Sequence, residues 1–335
     1  MVITAINIVE TVCQLPVNFA DVRILEVYSM NMNELTTIES VIRARHSVRN
    51  YESRPLGEGD RALVQEAITA ACDPKNMLHP ADIRIQLVRG AGKNSTSSGS
   101  GGMKLGTYGV IRGASDYLAL AVPRENPPIE AAGYALERVI LRLSEAGLGT
   151  CWLAGTWNRS SFLQAAGESF GMDLLDPQSS HMLVAVTPVG YDAGKKHAID
   201  SFIRFAAGSR NRKPWKDIFF AVNPTSGLEG LESEAAGELA LPFDMVRCAP
   251  SASNRQPWRL VRDGEAVHFF SDGTYGEALG FNMHLLDLGI AACHFDLSCR
   301  SRGISTRPLF DKSPEHLRDL LPATWTWRFS YTLIS

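Results

Sequence analysis

The chain has 335 residues, of which 45% are hydrophobic and 21% charged, and its 33 Lys plus Arg against 36 Asp plus Glu give a net charge of -3. That is the composition of a folded globular chain of one large or two ordinary domains, and it excludes wholesale disorder. Without a basic excess the chain is a poor match for nucleic acid, and no apolar run approaches the roughly 20 residues that span a bilayer. The six cysteines (Cys13, Cys72, Cys151, Cys248, Cys293, Cys299) stand apart with no CxxC pair. This fits reduced thiols in a cytoplasmic enzyme better than a disulfide frame or a zinc site.

Residues 1–33 are weakly patterned and carry no Lys or Arg before Arg23, so they lack the positive start of a signal peptide. They are expected to be a loosely attached extension or the product of an upstream start codon. Patterning sharpens with a helix over 34–44, then a turn and a second amphipathic helix over 61–72. Ile83, Ile85 and Leu87 alternate with polar neighbours as in a half-buried strand. The stretch 94–102 (NSTSSGSGG) predicts a surface loop, since no Gly-Lys-Ser/Thr ending makes it a phosphate cradle. A nearly all-apolar strand follows at 116–122. The spacing of Ala132, Leu136, Val139, Ile140 and Leu143 predicts a long helix over 129–146, stopped by Gly147. A buried strand at 182–186 leads into Pro188.

A Gly/Pro/Glu-rich stretch, 223–242, reads as a link between a first half (34–222) and a second, shorter half (243–335). Beyond it come a helix at 243–248, a hairpin of 258–261 and 266–270 turning at Asp263-Gly264, and a long helix over 281–300 closed by Gly303. Helix, polar loop, strand pair, long helix, glycine: the second half repeats the first, which predicts an internal duplication, although α+β domains share such layouts.

Two segments carry chemistry. Arg45-His46-Ser47-Val48-Arg49 packs two guanidiniums, an imidazole and a hydroxyl into five residues, a dense set of anion donors, or else a solvated helix end. Ala249-Pro250-Ser251-Ala252-Ser253-Asn254-Arg255-Gln256-Pro257-Trp258 holds short hydroxyl and amide groups between two prolines, more polar capacity than a turn requires. It suits the polar edge of a planar heterocycle. Cys151 reads as a small buried hydrophobe. No HExxH, Walker loop or GxSxG is present.

Together with Gly147-Leu-Gly-Thr-Cys-Trp-Leu-Ala-Gly155 and the basic run Arg210-Asn-Arg-Lys-Pro-Trp215, these segments resemble the nitroreductase family of FMN enzymes. The resemblance covers about Leu35 to Ser335. The chain departs from the ordinary homodimeric layout: Ala71–Pro80 (ACDPKNMLHP) is a degraded relic of the polar loop, and the intact loop comes only in the second half, which has no RxSxR cluster. In this it is similar to the group in which one chain folds as a pseudo-dimer.

The resemblance implies an α+β nitroreductase-like fold of two pseudo-symmetric halves, with central, mostly antiparallel sheets flanked by helices. It implies FMN, with NAD(P)H as electron donor and an electron-poor acceptor such as a nitroaromatic or quinone. Arg45, Ser47 and Arg49 would bind the FMN phosphate and ribityl hydroxyls, with His46 beside them and Arg210 and Arg212 closing on the phosphate. Pro250, Ser251, Ser253, Asn254 and Gln256 would come from the opposing half. Leu153, Ala154 and Gly155 would pass along the ring, the Ala154 backbone N–H reaching flavin N5. No side chain would act as nucleophile, and no metal is implied. The cofactor site would be complete in one chain, as a monomer or weak homodimer. A side-branch flavoenzyme or a non-catalytic flavin-binding protein are the alternatives.

Overall fold

The computed structural model describes residues 37–89, 105–194, 211–273 and 280–334. The extension 1–33, the 94–102 loop and Arg210 lie outside the described residues. Helix α1 (Ile38–Ala44) buries Val41 and Ile42, and helix α2 (Glu58–Ala71) buries Val64, Ala67, Ile68 and Ala71, one apolar stripe at helical spacing. Strands β1 (Arg84–Arg89) and β2 (Asp116–Pro123) pair antiparallel, with Arg84 opposite Ala121 and Arg89 opposite Asp116. β2 is buried from Asp116 to Val122, as a continuous apolar run in a central strand requires. Helix α3 (Ile129–Glu145), the short strand β3 (Gly149–Thr150), helix α4 (Arg159–Phe170) and strand β4 (His181–Gly190) complete the first half. Its sheet is antiparallel throughout, in the order β1-β2-β4-β3.

The second sheet is built from β5 (Phe219–Asn223), β6 (Gly227–Gly230), β7 (Trp258–Asp263), β8 (Ala266–Asp272), β9 (Ser305–Leu309) and β10 (Trp325–Ile334), ordered β6-β5-β7-β8-β10-β9. β5 pairs β7 in parallel; the other pairings are antiparallel. Helix α5 (Ala240–Cys248) precedes β7, and helix α6 (His284–Ser301) follows β8. The fold is therefore α+β, two sheets of mainly antiparallel strands flanked by helices. No helix among the described residues is long and apolar enough to cross a membrane.

Several elements differ from the sequence pattern. The stretch 223–242, read as a link, contributes β6 and a 3-10 segment (Ser233–Leu239) that buries Ala236 and Leu239. Short strands of small residues carry no alternation, and β5 is fixed by a parallel partner about 40 residues away. β4 continues past Pro188 to Gly190, because it is buried against β2, with Tyr117 opposite Pro188. Helix α4 went unread because it buries only Phe162, Ala165, Ala166 and Gly167; its start is nevertheless marked, as the Asn158 side chain accepts from the Ser161 N–H.

α3 and α6 cross at the centre of the molecule. A Cβ at Gly133 would overlap the carbonyl oxygen of Leu286, and one at Gly289 would overlap that of Glu130. Each glycine thus faces the residue three positions before the other, which makes the crossing two-fold symmetric in backbone. Both helices are buried over most of their surface, including Leu136, Val139 and Ile140 on one and Leu288, Ala291 and Phe295 on the other. Gly289→Ala is expected to destabilise the protein by about 2 kcal/mol, because overpacking outweighs the roughly 1 kcal/mol that alanine returns in helix propensity. The midpoint of urea unfolding reads this, and an unchanged midpoint would mean the helices can part freely.

Candidate functional site

The Arg45–Arg49 segment leaves α1 in extended conformation and is stitched to the first sheet. Val48 N–H donates to Thr150 O at 2.9 Å, Arg112 N–H to Arg49 O at 2.9 Å, and the buried Tyr51 hydroxyl to Val48 O at 2.9 Å. This fixes the segment along one side of a cleft of about 910 Å³. Arg45, His46, Ser47 and Arg49 line it together with Leu153, Ala154, Arg212, Pro250, Ser251, Ser253 and Asn254. The structure thus brings the sequence-predicted residues of both halves to one place. Two do not reach it: Gly155 is exposed outside the lining, and Gln256 is buried behind the loop.

The arginines differ in how they are satisfied. The Arg45 side chain is only 7% exposed, yet its Nε and Nη1 have no hydrogen-bond partner; the Glu137 carboxylate lies 4.0 Å from Nε. Arg49 Nε is likewise buried and unpartnered. Such groups are costly to bury without an acceptor. Arg212 is used structurally as well: Nη1 donates to Ala249 O (2.9 Å) and Asn254 Oδ1 (3.1 Å), and Nη2 to Cys248 O (3.0 Å), which caps the end of α5. Burial holds the Arg212 guanidinium below its usual value, and the like charge of Arg45 adds to this. His46 lies on the exposed rim, 3.4 Å from Asp192.

The polar loop is rigid by construction. Ser253, Asn254 and Gln256 all take φ near +50° (50°, 53° and 49°), a left-handed conformation that costs a non-glycine residue energy. Gln256 holds this shape: Ser251 Oγ accepts from its N–H (2.9 Å), its Oε1 accepts from Lys213 N–H (2.9 Å), and its Nε2 donates to Asn211 O (3.2 Å) and Asn254 O (3.1 Å). Gln256 therefore clamps the loop to the 211–213 segment and does not face the cleft. From below, the Asp287 carboxylate accepts from Ala252 N–H at 3.0 and 3.2 Å and meets His284 Nδ1 at 2.9 Å.

One wall of the cleft is Trp152, Leu153 and Ala154, with Leu153 exchanging both backbone bonds with Val186 of β4 at 3.0 Å. The opposite wall is the α6 face of Met283, Leu286, Asp287 and Ile290. Sequence reasoning passed over Trp152 and this face. A carboxylate inside the apolar stripe of α6 was the available signal, since burial of a charge requires a reason.

A family model described as "Putative TM nitroreductase" matches residues 37–299. The chain belongs to this family. No curated protein matches it. Among solved structures it is similar to a putative nitroreductase from Thermotoga maritima, at 19% identity and TM-score 0.50, over 91% of this chain and 96% of that one. It also matches a putative nitroreductase in complex with FMN from Desulfovibrio desulfuricans (20% identity, 49% of this chain, 94% of that chain, TM-score 0.32). A third match is an FMN-dependent nitroreductase from Clostridium difficile R20291 (18%, 47% and 89%, TM-score 0.33).

Asp287 gives a test of the loop's foundation. Burial raises its carboxyl above the ordinary value of 3.8. A raised carboxyl binds its proton more tightly in the folded state, so folding stability falls as pH rises from 3.8 through the raised value. Asp287→Asn keeps an acceptor for Ala252 N–H and removes that slope. Urea unfolding at several pH values should show the variant gaining on the natural chain as pH rises across that window; parallel profiles would place the carboxyl at its ordinary value.

Proposed function

We propose that this nitroreductase-family chain is an FMN-dependent oxidoreductase that takes reducing equivalents from NAD(P)H and delivers them to an electron-poor acceptor such as a nitroaromatic or quinone. The observation that carries this reading is the Arg45 guanidinium, buried at the cleft with Nε and Nη1 lacking any acceptor. A phosphate monoester supplies the missing acceptors with matching geometry. Beside it, the Ser251–Asn254 loop lines the cleft and presents the Ser251 and Ser253 hydroxyls to a polyol, while the Asn254 amide is tied to Asn211 O and Arg212.

When bound, FMN supplies the redox chemistry. The chain's own work is placement: Arg45, Ser47 and Arg49 hold the anionic end, with Arg212, itself tied to the loop, adding positive charge. Ser251, Ser253 and Asn254 would face the polar edge of the bound group, and Trp152, Leu153 and Ala154 would form a wall beside its ring. The backbone N–H of Ala154 would be a donor to the ring edge. Arg210 belongs to the same basic run and is assigned to the phosphate by the family resemblance alone. Cys72, Cys151, Cys248, Cys293 and Cys299 are not in disulfides, and the setting proposed is cytoplasmic.

Arg45→Ala should weaken FMN binding by about 1.5–3 kcal/mol, on the order of tenfold to a hundredfold, while leaving the fold intact. Flavin fluorescence titration measures this, and full occupancy of the variant at sub-micromolar protein rejects the assignment. Anaerobic mixing with NADPH separates the catalytic reading from a binding module: prompt bleaching of bound flavin supports the reductase, and an inert flavin the binding protein.

The two halves read as copies, and the second cleft reads as closed. Counting from the glycine crossing, the α3 counterparts of Leu286, Asp287 and Ile290 are Glu130, Ala131 and Tyr134. Glu130 is ion-paired with Arg328 at 2.7 Å, Ala131 is buried, and Tyr134 is buried with its hydroxyl on Asp296 at 2.5 Å. His79, in the relic loop, packs edge-on against Phe310 with ring centroids 4.7 Å apart. We therefore expect one FMN per 36.6 kDa chain, held within one chain as a monomer or weak homodimer. Flavin released on denaturation, measured against chain concentration, should give a ratio near one; a ratio near two would mean the relic still binds.

A further inference from the structure

Below the cleft, Glu137 and His294 form a pair in which neither side chain is exposed to solvent. Glu137 comes from α3 and His294 from α6, so the pair joins the two halves. His294 Nδ1 is 2.9 Å from Met245 O, an acceptor only, and must therefore donate. Nε2 is 3.0 Å from Glu137 Oε1. Two bare acceptors at that distance would repel in a dry interior, so one proton lies between these atoms. Whether it sits on nitrogen or oxygen, the pair carries no net charge. Glu137 Oε2 accepts from Trp152 Nε1–H at 2.7 Å, and Oε1 stands 4.0 Å from Arg45 Nε. Both Trp152 and Arg45 line the cleft.

We propose that Glu137 and His294 are positioning residues: the pair fixes Trp152 and the stem of Arg45 while neutralising its own carboxylate, so that the Arg45 charge is left uncompensated for the cofactor's phosphate. This rests on the flavin reading above. The arrangement occurs on one side of the crossing. The positions equivalent to Glu137 and His294, four residues after one glycine and five after the other, are Cys293 and Arg138, which form no such pair. A device needed for helix packing alone would have no reason to favour the side with the open cleft.

The test is charge bookkeeping by FMN titration, with fluorescence quenching as the readout. In His294→Gln the amide still donates to Glu137, but the carboxylate becomes a net negative charge beside Arg45. FMN affinity should fall about tenfold or more. Adding Glu137→Gln to that variant removes the charge and should return affinity to within about threefold of the natural chain. A purely structural pair predicts the opposite, since the second change would compound the first. His294→Gln binding FMN as tightly as the natural chain, or the double variant binding no better than His294→Gln, overturns the proposal. If His294→Gln does not fold, Glu137→Gln decides alone. It preserves the geometry and neutrality of the network, so a shift of less than about threefold supports the proposal and a loss of about tenfold overturns it. A natural chain that binds no FMN defeats the flavin reading, and this proposal with it.

Discussion

The molecule depends on two helices that touch backbone to backbone. Gly133 and Gly289 let α3 and α6 approach until there is no room for a Cβ on either side. The close crossing places the start of α6 under the Ser251–Asn254 loop and the middle of α3 under the Arg45–Arg49 segment. The two motifs lie about 200 residues apart in sequence, and they share a cleft because of this contact. A larger separation of the helices would widen the distance between guanidiniums and loop by the same amount, and hydrogen-bonded recognition tolerates little of that.

The electrostatics of the cleft follow from what each arginine is allowed to keep. Arg212 spends its donors on two carbonyls and Asn254, which rigidifies the loop at the expense of its availability. Arg45 spends none on hydrogen bonds to protein through Nε and Nη1, and the nearest carboxylate is occupied by an imidazole and an indole. The left-handed residues of the loop have the same logic. Strain at Ser253 and Gln256 is held by the Gln256 amide and the Asp287 carboxylate, so the loop is preorganised before any ligand arrives.

Much of this was legible in the sequence, and the part that was not has a common cause. The apolar spacing of Leu136, Val139 and Ile140 predicts α3, and the proline-bounded polar run predicts a binding loop, because both are local signals. Gln256 was placed in the cleft by resemblance, whereas its partners Asn211 and Lys213 turn it away; they lie more than 40 residues upstream and leave no local trace. Strand β5 was hidden for the same reason, since its place comes from a non-local parallel pairing with β7, and β6 is an edge strand that pairs with β5 alone. Glu137 offered a signal that went unused: an acid with Gly133 before it and Ile140 and Leu141 after it at helical spacing cannot face water. The partner that explains it, His294, is 157 positions away.

The asymmetry at the crossing has a physical consequence for how such a chain can change. In a symmetric homodimer each substitution at the two-fold appears twice, so a pair such as Glu137 with His294 would be installed under both clefts at once. On the reading of this chain as two joined copies, the backbone has kept the symmetry while the side chains have left it. Glu137 and His294 stand beneath the open cleft, Cys293 and Arg138 occupy the counterpart positions, and Tyr134 with Asp296 fills the opposite side. If the cofactor phosphate is held on one side only, as proposed, burying a second neutralised pair would incur desolvation without return. Covalent joining removes that constraint. One cleft can acquire the polar groups an anionic ligand needs, and the other can fill with side chains that hold the two halves together.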